Sequence, residues 1–141
     1  KMKKINYFII VAAILMLIIP LLGCPNAHTD AEWSVITPGY ISGNITDWAQ
    51  TPAQALSYVK GTGTATASKT FTAVADAEFK LCDAGWTNEW AGGKTIEAGG
   101  EWVELAQGGA NCSITGMTVG NSYTMEIQST SSTIKVRVIA N

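Results

Sequence analysis

The side chains best equipped for chemistry in this 141-residue chain are its five tryptophans and three cysteines, while its acid–base repertoire is thin. The single histidine, His28, stands in the polar stretch Cys24 to Glu32, where a solvated linker residue is expected rather than a general base. Carboxylates are scattered; Asp83 and Glu89 share a loop region, as two acids on any surface loop do. No lipase-type serine motif, phosphate loop or metal-ligand cluster is present, so the expectation is a non-enzyme without cofactor or metal. Asn44-Ile45-Thr46 matches the N-glycosylation sequon, which is discounted because the leader described below is bacterial in type.

Tryptophan is the unusual feature. Trp48 follows Asn44-Ile45-Thr46-Asp47 at a turn, and Trp86 and Trp90 lie in a Gly/Asn-rich loop after Phe79–Cys82. Trp102 alternates with Val103 and Leu105, which sets it on the face opposite the core. A flat exposed ring stacks on the apolar face of a sugar, and neighbouring Lys, Asp and Asn side chains bond to hydroxyls. The same rings also suit the gap between two sheets or its ends. Trp33 is read as such a filler; for Trp48 and Trp86 composition leaves both roles open.

The cysteines divide in two classes. Lys1, Lys3 and Lys4 precede an unbroken apolar run from Phe8 to Leu22 that ends in Leu21-Leu22-Gly23-Cys24. The run is shorter than the roughly 20 residues of a spanning helix, and the order of basic end, apolar core and cysteine resembles the bacterial lipobox. Residues 1–23 are expected to be a lipoprotein signal peptide, Cys24 the lipidation site, and 24–32 a lipidated tether. Two or more acyl chains would hold the protein stably on a membrane. Pro25, in place of a retention aspartate, leans towards the outer membrane or cell surface. Cys82 and Cys112 remain as an even pair in an oxidising compartment and are expected to form a disulfide. Alternation opposes this: with Phe79 and Leu81 inward, Cys82 faces out, whereas Cys112 and Ile114 face in.

The elements that must position these residues are short strands. Tyr40-Ile41, Leu56 to Lys60, Lys69 to Val74, Glu78 to Cys82, Glu101 to Leu105 and Asn111 to Thr115 read as strands, with Gly61 to Ser68 a loop or flat edge. Tyr123, Met125 and Ile127 alternate with polar residues, as do Ile134, Val136 and Val138, which predicts a closing hairpin through Ser129–Ser132. Seven or eight short strands with glycine turns point to an all-β antiparallel sandwich over residues 33–141, one domain. Of nine basic side chains, six remain once Lys1, Lys3 and Lys4 are set aside, against eleven acidic ones. There is no basic patch, which argues against nucleic acid as a partner.

Three stretches together resemble the immunoglobulin-like starch- and glycogen-binding modules of starch-utilisation outer-membrane lipoproteins. Tyr40 to Trp48 resembles their opening strand and turn, Glu78 to Trp86 their aromatic-Lys-Phe strand and glycine turn, and Gly108-Gly109-Ala110-Asn111 a later turn. The closing hairpin resembles theirs as well. The resemblance implies an immunoglobulin-like sandwich in which Trp48 and Trp86 stack on sugar while Lys80 and Asn111 bond to hydroxyls; Trp90, from the same loop, joins the candidate set. It departs at Ile45, which replaces an aromatic, in the two cysteines, and in standing as one module rather than several. The function expected is a membrane-anchored, non-catalytic carbohydrate-binding lipoprotein, holding an α-glucan or another glycan near a transporter or hydrolase. The competing readings are a structural or adhesive lipoprotein that binds protein through the sandwich surface, and a subunit of a larger envelope complex.

Overall fold

The computed structural model describes residues 35–141. The leader, Cys24, the tether with His28, and Trp33 lie outside the described residues. What is described is all-β, as the alternating pattern predicts. Ten strands run in order: β1 (Tyr40–Gly43), β2 (Val59–Gly61), β3 (Thr64–Thr72), β4 (Glu78–Cys82), β5 (Glu89–Ala91), β6 (Thr95–Glu97), β7 (Val103–Gln107), β8 (Cys112–Thr115), β9 (Ser122–Ser129) and β10 (Ile134–Ala140). They hydrogen-bond in one path, β2-β3-β9-β10-β7-β5-β4-β8-β6, with β1 added on β4.

Period-two patterning explains the long strands. In β9, Tyr123, Met125, Ile127 and Ser129 are buried and the residues between them are not; in β10 the buried set is Ile134, Val136 and Val138. The hairpin pairs Val136 with Ile127 and Val138 with Met125, so one register slip would expose every one of these side chains. Its turn is closed by Thr130, whose Oγ accepts the backbone N–H groups of Ser132 and Thr133. In β3 the alanines at 65 and 67 and Phe71 are the inward residues, facing β9.

Strand β7 joins the two halves of the path. Its first three residues pair with β10, through Leu105 with Ile134 and Val103 with Val136, and Ala106 pairs with Ala91 of β5. Side chains from both halves, including Ile41, Phe79, Leu81, Met125, Ile127 and Val136, meet in a single buried cluster. Pairing is antiparallel except between β6 and β8, which are parallel. Strands β5 and β6, three residues each, are additional to those expected from the sequence.

Cys82 and Cys112 are free thiols, which corrects the expected disulfide. The register gives the reason. Cys112 lies opposite Phe79, and Cys82 is three residues further along β4, about 10 Å away at ~3.3 Å per residue. A disulfide needs Cα atoms within about 7 Å, and an odd offset also turns the two side chains to opposite faces. Both thiols are buried, and burial pushes both pKa values up.

Candidate functional site

Two turns present the exposed aromatic rings. The first begins at Gly43, the last residue of β1, which lies opposite Phe79 of β4. A Cβ there would stand 2.0 Å from the Glu78 carbonyl oxygen, so only glycine lets the strands close at this point. Beyond it Asn44–Thr46 forms a 3-10 turn. Asn44 ties this turn to the start of β4, donating to the Asp76 carbonyl and accepting the Glu78 N–H, each at 2.8 Å. The Thr46 hydroxyl accepts the Gly43 N–H and donates to the Ile41 carbonyl. The chain leaves the turn through Asp47 and Trp48, both in the left-handed region, and the Trp48 N–H donates to the Gly43 carbonyl at 2.8 Å.

The second turn follows β4. The Asp83 carboxylate accepts the Asn88 N–H at 2.8 Å and the Asn88 amide at 2.6 Å, closing the loop from 83 to 88. These bonds, the backbone one first, hold the Asp83 carboxyl below the usual carboxylate range. Inside the loop Gly85 and Trp86 both have positive φ, 74° and 62°. Four described non-glycine residues have positive φ, and two of them are Trp48 and Trp86. For so bulky a residue this conformation costs of order 1–2 kcal/mol and is held only where surrounding structure fixes it.

The two rings meet. Their centroids are 6.5 Å apart with planes inclined by 30°, and the residues are 40% and 38% exposed. Aromatic pairs at this spacing attract, yet both residues here stay partly exposed at the surface. Gln50, two residues past Trp48, links the turns: its amide nitrogen donates to the Asp83 carbonyl at 3.1 Å and to Cys82 Sγ at 3.2 Å. Its oxygen accepts the Gly85 N–H at 2.9 Å. The clamp spans 35 residues of sequence, so no local pattern signals it. Gln107, which donates to Asn88, supports the second turn from β7 and was likewise silent in the sequence.

The other expected site residues are engaged with partners within the protein. Trp90 is a strand residue rather than a loop residue; it pairs with Leu81 of β4 and packs against the core. Lys80 is largely covered, its ammonium donating to Glu89 at 2.8 Å and to the Gly109 carbonyl at 2.9 Å. The Asn111 amide donates to Glu78 at 3.0 Å. Lys80 and Asn111 therefore serve bonds within the protein, and the Glu89 carboxylate offsets the Lys80 charge. Among the described residues no three His, Cys, Asp or Glu side chains are grouped to hold a metal ion. What the turns offer a ligand is a shallow aromatic surface, rimmed by the exposed Asp47 carboxylate. No protein-family model, curated protein or solved structure matches the chain.

Proposed function

We propose that this protein is a non-catalytic carbohydrate-binding lipoprotein that holds a glycan, an α-glucan by preference, on the Trp48–Trp86 pair. The observation that carries the reading is the pair itself. Two large apolar rings stay exposed 6.5 Å apart, each on a backbone conformation unfavourable for tryptophan. Packing within the fold does not require rings left this exposed on such a backbone, whereas a sugar chain gains two stacking surfaces whose planes differ by 30°. Anchoring through Cys24 at the outer membrane or cell surface would keep captured polysaccharide beside a transporter or hydrolase. An immunoglobulin-like sandwich is part of this proposal, supported by the change of partner along β7 and by a core shared by both halves of the sheet path.

The test is retention on insoluble starch beside cellulose and chitin, with retardation in glycogen-containing gels. Wild type should be retained on starch, and Trp48→Ala and Trp86→Ala should each weaken retention without unfolding the protein. A wild type retained on none of the three polymers would overturn the reading. The structural or adhesive alternative has one observation behind it: β2 is a wholly exposed edge strand, with Val59 75% exposed, a surface on which a partner strand can add.

A further inference from the structure

The fifth tryptophan marks a different place. Trp102 precedes β7, and Arg137 of β10 lies over its ring, the guanidinium carbon 4.7 Å from the centroid. Arg137 in turn donates from Nε to Glu126 Oε2 at 2.6 Å, and Glu126 stands opposite Ser68 of β3. Ser68, Glu126, Arg137 and Trp102 thus form a row across β3, β9, β10 and the start of β7, on the face away from the core. Beside this row runs an open groove of about 480 Å³, lined by Ser57, Val59, Thr66, Ser68, Trp102 and Glu126. That volume falls within the range of small-ligand sites.

The lining defines the class of ligand. Trp102, with Arg137 over one face of its ring, supplies its remaining aromatic surface and Val59 an exposed aliphatic one, for C–H contacts. Ser57, Thr66 and Ser68 supply hydroxyls that both donate and accept. Arg137 engages Oε2 of Glu126 and balances its charge, and a carboxylate with two oxygens has further acceptor positions for a ligand hydroxyl. A charge-balanced groove of one indole, three hydroxyls and a carboxylate acceptor fits an uncharged ring bearing several hydroxyls. We propose that this groove is a second binding site, taking a neutral sugar unit of an oligosaccharide. It extends the carbohydrate reading of the Trp48–Trp86 pair, and rests on it for the ligand class. The ring pair sits on turns after β1 and β4, whereas the groove lies across β2, β3 and β9 with Trp102 at one side. One molecule would therefore hold two glycan segments, or two points on one, and gain avidity without added affinity at either site.

The experiment uses the full chain in detergent micelles with fluorotryptophan in place of its five tryptophans, followed by fluorine NMR. Each resonance is assigned by a single Trp→Phe substitution. The probes are maltoheptaose, cellohexaose, chitohexaose and mannohexaose, titrated to millimolar concentration. At least one should move the Trp102 resonance saturably, and should still do so in a Trp48→Gly/Trp86→Gly variant. Ser68→Gln, at an exposed strand position, should narrow the groove and weaken that response roughly three- to tenfold, comparable to the loss of one aromatic contact. If Trp48 and Trp86 respond and Trp102 does not, the groove is not a site although the ring pair is. If Trp102 responds only while the other two rings are present, its shift is relayed from them and the inference also fails. Silence of all three resonances across the panel would overturn both readings.

Discussion

At the residue scale the informative feature is backbone conformation rather than side-chain identity alone. Trp48 and Trp86 have φ of 56° and 62°, values glycine adopts freely and any residue with a Cβ resists. Replacing the ring by alanine keeps the backbone penalty, and replacing it by glycine removes it. Trp86→Gly should therefore be more stable than Trp86→Ala by about 1 kcal/mol, read from thermal melts, although glycine lowers stability at most positions. Both variants should lose glycogen retardation to the same degree. A Trp86→Gly variant less stable than Trp86→Ala would show that the left-handed conformation is not what the ring endures. The thiols give a second outcome at this scale. Titration of unfolded, unreduced protein should find the Cys82 and Cys112 thiols free, and a reducing agent should leave the melting temperature unchanged. A loss of stability on reduction would restore the bridge that the β4–β8 register excludes.

At the scale of elements the site depends on two turns being held as one unit by Gln50. Removing its side chain takes away three hydrogen bonds and leaves both rings in place. Gln50→Ala should cost roughly 1–2 kcal/mol of stability and weaken glycan binding, because the rings lose their fixed relation. Full binding by Gln50→Ala would show that the rings are positioned without the clamp. The Asp83 loop adds a pH dependence with a definite sign. Its carboxyl is held below the ordinary value of 3.8, chiefly by the Asn88 N–H, so the ionised form favours the folded loop. That contribution is present above the ordinary carboxylate range and is lost as pH falls through the lowered folded value. Binding followed against pH should thus be flat from neutrality down to that range and fall only below it, and Asp83→Asn should be weakened throughout. The sequence disclosed elements unevenly for the same physical reason that it hid the clamp. Strands β4, β9 and β10 were legible because local alternation marks which face each residue takes. Strands β5 and β6 are too short to alternate, and Trp90 turns inward because of its partner Leu81, a fact of register rather than of neighbours. Trp48 and Trp86 were legible as turn residues, whereas composition left open whether their rings pack inward or stay exposed, which the paired turns decide. Lys80 and Asn111 were not legible as engaged, since Glu89, Gly109 and Glu78 reach them only once the strands pair.

At the scale of the molecule, the question is whether membrane attachment and glycan binding reside in separable parts of one chain. The binding surfaces proposed above are all built from residues 35–141, which share one core, while the lipobox-like Cys24 stands ahead of them. Among the described residues no helix is long and apolar enough to cross a membrane. Attachment by the proposed lipid route would depend on Cys24. Two acyl chains anchor a protein stably and one does so marginally, which makes the outcome of losing the attachment cysteine nearly all-or-none. Separability predicts a specific pattern for Cys24→Ser protein from which residues 1–23 have been removed. It should be retarded in glycogen gels like wild type and should remain in the supernatant when lipid vesicles are sedimented. Mature wild-type protein should sediment with the vesicles and carry added glycogen down with it. Anchoring raises the local concentration of captured polymer by confining many binding surfaces to one membrane. Vesicles bearing wild type should then hold glycogen at concentrations where the same protein in detergent does not. Sedimentation of the Cys24→Ser protein with vesicles to the wild-type extent would place the attachment elsewhere in the chain. Co-sedimentation of wild type without glycogen would leave the anchor standing and move the function to the adhesive reading, with β2 as the edge to examine.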